Sequence, residues 1–86
     1  MQLVSAQVSL YPLRQTSLSE PIEGFLSVLR SRGLEVQPGA MSTLVLGSAQ
    51  DLFDGLKQAF QEAADRGEVV MAATFSNACP TGRPEP

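Results

Sequence analysis

The chain has 86 residues, 43% of them hydrophobic and 17% charged, with a formal net charge of −3 and a pI near 4.6. That describes one small globular domain, and an acidic balance with six scattered Lys and Arg excludes the basic footprint of a nucleic-acid binder. With no histidine and one cysteine, a single chain makes no internal disulfide, zinc site or Cys–His pair, and the lack of a signal-peptide pattern or an apolar run of roughly 20 residues reads as cytoplasmic, without membrane insertion.

From Leu3 to Leu13, LVSAQVSLYPL puts Val4, Ala6, Val8 and Leu10 on one side and Ser5, Gln7, Ser9 and Tyr11 on the other, which predicts a strand with two unlike faces. Ser17 followed by Glu20, with Pro21 acceptable in a first turn, predicts a helix starting between Ser17 and Ser19. Ile22, Phe25, Leu26 and Leu29 form its apolar stripe, and Gly33 suits its left-handed close. Pro38-Gly39 is a turn dipeptide that predicts a hairpin between a short strand near Leu34 to Gln37 and a longer one from Met41 to Leu46. Ser48 with Asp51 opens a second helix, whose stripe of Leu52, Leu56, Ala59, Phe60 and Ala63 runs to Gly67. A last strand lies in EVVMAATFS. The Pro- and Gly-rich end after Cys79 predicts a folded domain over residues 1–80 and a disordered tail over 81–86.

The order β-α-β-β-α-β is the ferredoxin-like plan, an α+β two-layer sandwich with a four-stranded antiparallel sheet and two helices on one face. The other face carries Ser5, Gln7, Ser9 and Tyr11 with apolar residues of the remaining strands, and so calls for a second sheet or a ligand. The inward parity of the third and fourth strands stays open. Cys79 lacks a base, cation or helix end to activate it, which makes it a strand-end residue rather than a nucleophile. Ser5, Gln7, Ser9, Thr43, Thr74, Ser76 and Asn77 are neutral donors and acceptors of the kind that orient a small heteroaromatic ligand; the same residues would also suit the solvated side of an antiparallel sheet.

Three segments carry more. AQVSLYPL (Ala6 to Leu13), MSTLVLGSAQDLFDGLKQAF (Met41 to Phe60) and VVMAATFSNACP (Val69 to Pro80) resemble the YkoF-like family of thiamine and hydroxymethylpyrimidine binding proteins. The shared pattern is SLYP at the end of the first strand, STxxxGS leading into a helix with xxFD, and a VMxxTFSxxCP close. The resemblance implies a ferredoxin-like domain that binds thiamine or its pyrimidine moiety in salvage or transport, with no catalytic step and no cofactor. Family members of this kind carry two repeats in one chain. One repeat here implies a homodimer or homotetramer assembled through sheet faces. Where the family pattern has an acid soon after the closing glycine, this chain has Arg83. On the matched segments the expected site lining is Gln7, Ser9, Tyr11, Thr43, Gly47, Thr74, Ser76 and Asn77. Tyr11 or Phe75 would pack on a ring face, and Gly47 either admits a ligand or backbone closely or ends a strand.

Two other readings compete. An assembly or regulatory domain without a ligand would use the open sheet face to pair with itself. An acylphosphatase-like hydrolase would use Arg14 and Asn77, although YPLRQTSLS lacks a glycine-rich anion loop. An RNA-binding sheet wants several exposed aromatics and basic flanks, against one tyrosine and no tryptophan.

Overall fold

A computed structural model describes residues 3–14 and 19–78. The expectations for Ser17, Cys79 and the 81–86 tail lie outside these residues. The elements run β1 (Leu3–Pro12), α1 (Ser19–Ser31), β2 (Glu35–Pro38), β3 (Thr43–Ser48), α2 (Ala49–Arg66) and β4 (Val69–Ser76). The four strands form one antiparallel sheet in the order β2-β3-β1-β4. This is the expected βαββαβ sandwich.

The helices form where the apolar spacing and end signals coincide. In α2 the Ser48 hydroxyl accepts the Asp51 N–H at 3.2 Å, which satisfies one of the free donors of the first turn. Its inward stripe is Leu52, Gly55, Leu56, Ala59 and Ala63. At the end of α1, Gly33 takes φ 81°, the Gly33 N–H donates to Arg30 C=O at 3.0 Å, and the Leu34 N–H donates to Leu29 C=O at 3.4 Å. This Schellman closure turns the chain so that Leu34 enters the core. There the two Leu34 methyls face bare backbone: one would clash with a Cβ on Gly47 of β3, and the other lies 2.8 Å from the place of a Cβ on Gly55 of α2. Leu29, Leu52, Val8 and Val45 are the largest fully buried side chains of the core that it joins.

The ladders settle the parity that periodicity left open. Paired residues of antiparallel strands share a face, so the partners Ala6↔Val45, Val8↔Thr43, Ala6↔Phe75 and Leu10↔Met71 all lie on the helix side. The open face carries Gln7 between Leu44 and Thr74, Ser5 between Leu46 and Ser76, and Tyr11 beside Val70.

Two backbone bonds set the hydrogen-bonding phase. Leu13 N–H donates to Glu68 C=O at 2.8 Å and Gly39 N–H to Ser42 C=O at 2.9 Å. Because hydrogen-bonded pairs alternate along an antiparallel ladder, Ser5, Gln7, Ser9 and Tyr11 turn their backbone groups to β4, and Val4, Ala6, Val8, Leu10 and Pro12 turn theirs toward β3. The Gly39–Ser42 bond also places the hairpin turn at Ala40–Met41, two residues beyond the expected Pro38-Gly39. Pro38 and Pro12 each fall where a missing N–H breaks no strand pair.

Candidate ligand-binding cleft

β1 is longer than its neighbour. Its pairing with β3 ends at Val8↔Thr43, whereas its pairing with β4 continues to Pro12↔Val69. Beyond Val8 the β3 side of β1 is therefore a strand edge inside the molecule. Among the described residues, the Leu10 N–H and C=O that point there have no backbone partner. A cleft of about 260 Å³ opens at this place, between the end of β1, the Gly39–Ser42 turn and the first turns of α1. Ile22, Phe25 and Leu26 form an apolar wall, and Ser9, Tyr11, Ser42 and Thr43 supply hydroxyls. The Ser9 Oγ donates to Met41 C=O at 3.3 Å, tying the turn to β1. No lining residue is charged.

The structure divides the expected site residues. Ser9, Tyr11 and Thr43 line this cleft together, although Thr43 sits on the helix-side parity of β3. Gln7 and Thr74 are cross-strand partners in the middle of the open face. Ser76 and Asn77 lie at the far end, beside a wide shallow depression with Val4, Phe53 and Phe75. Val4 and Tyr11 are seven positions apart, roughly 23 Å along an extended strand at about 3.3 Å per residue. Gly47 faces the Leu34 side chain in the core, so its missing Cβ serves packing. Phe75 points to the helix side and stacks on Phe53, with ring centroids 4.5 Å apart. Arg14 pairs with Glu68 at the opposite end of β4 from Asn77, so the two residues of the hydrolase reading are not brought together.

Residue patterns alone did not point to the Leu10 backbone or to the cleft's apolar wall. Ile22, Phe25 and Leu26 read as an ordinary core stripe, and they come to line a cleft only because β3 stops short. The overhang of a ten-residue strand over a six-residue neighbour is the signal from which the cleft can be inferred. Among the described residues, no group of three or more His, Cys, Asp or Glu is placed to hold a metal. Among the described residues, no helix is long and apolar enough to cross a membrane.

The family model of the YKOF-related family matches residues 3–82, and the chain belongs to that family. No curated protein matches it. Among solved structures, a hypothetical protein from Methanocaldococcus jannascii is similar with a TM-score of 0.80 and 26% identity, over 88% of this chain and 80% of that one. A domain of unknown function from Bacillus cereus is similar with a TM-score of 0.76 and 27% identity, over 87% of this chain and 75% of that one. A protein from Thermotoga maritima, assigned provisionally to thiamine biosynthesis/salvage, shares the fold with a TM-score of 0.75 at 19% identity, over 85% of this chain and 81% of that one.

Proposed function

We propose that this protein binds thiamine or its hydroxymethylpyrimidine moiety without catalysis, as a cytoplasmic component of thiamine salvage or transport, and that the ligand enters the cleft at the end of β1. The observation that carries the reading is the outward Leu10 N–H and C=O, beyond the reach of β3 and flanked by the Ser9 and Thr43 hydroxyls. An aminopyrimidine offers a donor and an acceptor side by side, and such an edge pairs with a strand backbone much as a neighbouring strand would. Tyr11, exposed beside the cleft, would pack on a ring face, with the buried Phe25 in the apolar floor beneath. Ligand pockets usually measure roughly 300–1,000 Å³, so a cleft of about 260 Å³ suits a single ring. Its uncharged lining favours a neutral moiety over a phosphate ester. Membership of the YKOF-related family and the provisional thiamine assignment of the T. maritima neighbour point to the same ligand class.

The remaining expected residues take another part in this reading. Gln7 and Thr74 belong to an open face that also holds Leu44, Val70 and Ala72, which favours stacking of this face on a second copy in a homodimer or homotetramer.

Isothermal titration with hydroxymethylpyrimidine and with thiamine tests the site. Saturable binding is expected. Ser9→Ala should weaken it by about 1 kcal/mol, roughly fivefold, for one lost hydrogen bond, and Asn77→Ala should leave it unchanged. Absence of heat with both ligands, or equal losses in the two variants, would refute the assignment.

A further inference from the structure

Leu10 offers one donor and one acceptor side by side, its N–H and its C=O, where β3 has ended. Such an edge does not tell an aminopyrimidine from a pyrimidinone. The amino ring presents a ring-nitrogen acceptor beside an N–H donor, and the oxo ring presents an N–H donor beside a carbonyl acceptor. Either pattern pairs with a strand backbone once the ring is turned over. Discrimination between the two has to come from the side chains around the edge.

The cleft is lined by the hydroxyls of Ser9, Tyr11, Ser42 and Thr43. A free hydroxyl carries one proton and two lone pairs and rotates to suit what meets it, so it accepts from an amino group and donates to an oxo group alike. Ser9 is different. Its Oγ lies 3.3 Å from the Met41 carbonyl oxygen, and because a carbonyl only accepts, the single Ser9 proton is committed to Met41. Toward a ligand Ser9 therefore presents lone pairs only. Among the described residues no comparable bond fixes the proton of Tyr11, Ser42 or Thr43. The turn that carries the Met41 carbonyl is itself held, since the Gly39 N–H donates to Ser42 C=O at 2.9 Å. Gly39 permits this close approach, because a Cβ there would come within 2.9 Å of the same Ser42 oxygen.

We infer that Ser9, its proton locked on the Met41 carbonyl, is a specificity-determining residue that makes the cleft select an aminopyrimidine over the corresponding pyrimidinone. The inference rests on the proposal that a pyrimidine occupies this cleft. An exocyclic amino group has two hydrogens to place. One meets Leu10 C=O, and the second finds its acceptor in Ser9 Oγ. An oxo group in the same position sets its lone pairs against those of Ser9, unless the Ser9–Met41 bond breaks and the turn loses its tie to β1. A site with a fixed hydrogen-bonding demand rejects the analogue that leaves it unmet, more strongly than an apolar pocket rejects a change of size.

Isothermal titration of the full chain with hydroxymethylpyrimidine, and with the same ring carrying an oxo group in place of the amino group, reads this selection as a ratio of two affinities. The unsubstituted protein should prefer the amino ring by about 25-fold, the product of one hydrogen bond made and one opposed, each worth about fivefold. Ser9→Ala should weaken the amino ring about fivefold and strengthen the oxo ring, bringing the two within about twofold of each other. If Ser9 only tied the turn to β1, both ligands would weaken alike and the ratio would persist. Gly39→Ala approaches the same point with Ser9 in place: the added methyl displaces the Ser42 oxygen and loosens the turn, which frees the Ser9 hydroxyl to donate and should raise the affinity of the oxo ring. Equal affinities in the unsubstituted protein, or a ratio unchanged in either variant, would overturn the inference and leave pyrimidine binding standing. Binding of neither ring would overturn both. If Gly39→Ala fails to fold, the ratio in Ser9→Ala decides alone.

Discussion

Gly47 distinguishes a packing role from a ligand role. Its absent Cβ leaves the space taken by one Leu34 methyl, and Gly55 receives the other. In Gly47→Ala the added methyl overlaps Leu34, whose other methyl already lies against the α2 backbone at Gly55. Overpacking of this sort costs about 1–3 kcal/mol, partly offset by about 0.4–1 kcal/mol from a stiffer unfolded chain. A net loss of about 1–2 kcal/mol should lower the melting midpoint, at about 4–8 °C per kcal/mol for a domain this size. Leu34→Ala alone should cost about 2–5 kcal/mol, toward the upper end, because two glycines have no side chains to collapse into the hole. In the double variant the new methyl occupies space that Leu34 vacated, so the two losses should fall short of their sum by about 1–2 kcal/mol. Urea denaturation at one fixed protein concentration measures all four corners of this cycle. Losses that add within about 0.5 kcal/mol would refute the packing account. So would a Gly47→Ala protein of unchanged stability with lost hydroxymethylpyrimidine affinity.

Other outcomes can be checked alongside. Ser48→Ala removes the α2 cap and should destabilise by about 1 kcal/mol, read as a melting midpoint about 4–8 °C lower with ligand affinity unaltered. Raising salt from about 0.05 to 0.5 M screens charge interactions and should change pyrimidine affinity less than twofold, because no charged side chain lines the cleft; a steep salt dependence in the titration would contradict this. Arg14 holds φ 55°, a conformation that costs a non-glycine residue roughly 1–2 kcal/mol, and its ion pair with Glu68 is 77% and 64% exposed and so worth at most about 1 kcal/mol. Arg14→Gly should therefore keep or raise the melting midpoint, and a fall of more than about 8 °C would show that the arginine holds more than this pair.

Much of the fold is legible residue by residue, because helix stripes, caps and strand alternation are local. Ser48 caps α2 as its spacing with Asp51 requires, Gly33 takes the left-handed conformation its position calls for, and Val4, Ala6 and Val8 point inward as their alternation demands. The candidate site was less legible. Thr43 and Gly47 share a parity with Val45, opposite to Gln7 and Ser9, and that parity depends on which residue of β3 meets which residue of β1. A short apolar strand reads alike from either face. Phe75 similarly offers an aromatic ring whose neighbour, Phe53, comes from an element 22 positions earlier.

By itself the sequence determined the order of elements, the two helix stripes and the family pattern, all of which rest on contacts between residues close in the chain or on recurring residue types. Tertiary structure alone decided where β3 ends against β1, and hence that the Leu10 backbone opens onto a cleft shared by Ser9, Tyr11 and Thr43 while Ser76 and Asn77 lie at the other end of the sheet. The reason is register: every pairing between strands is a long-range choice, and a shift of one residue exchanges the faces of all the side chains on a strand.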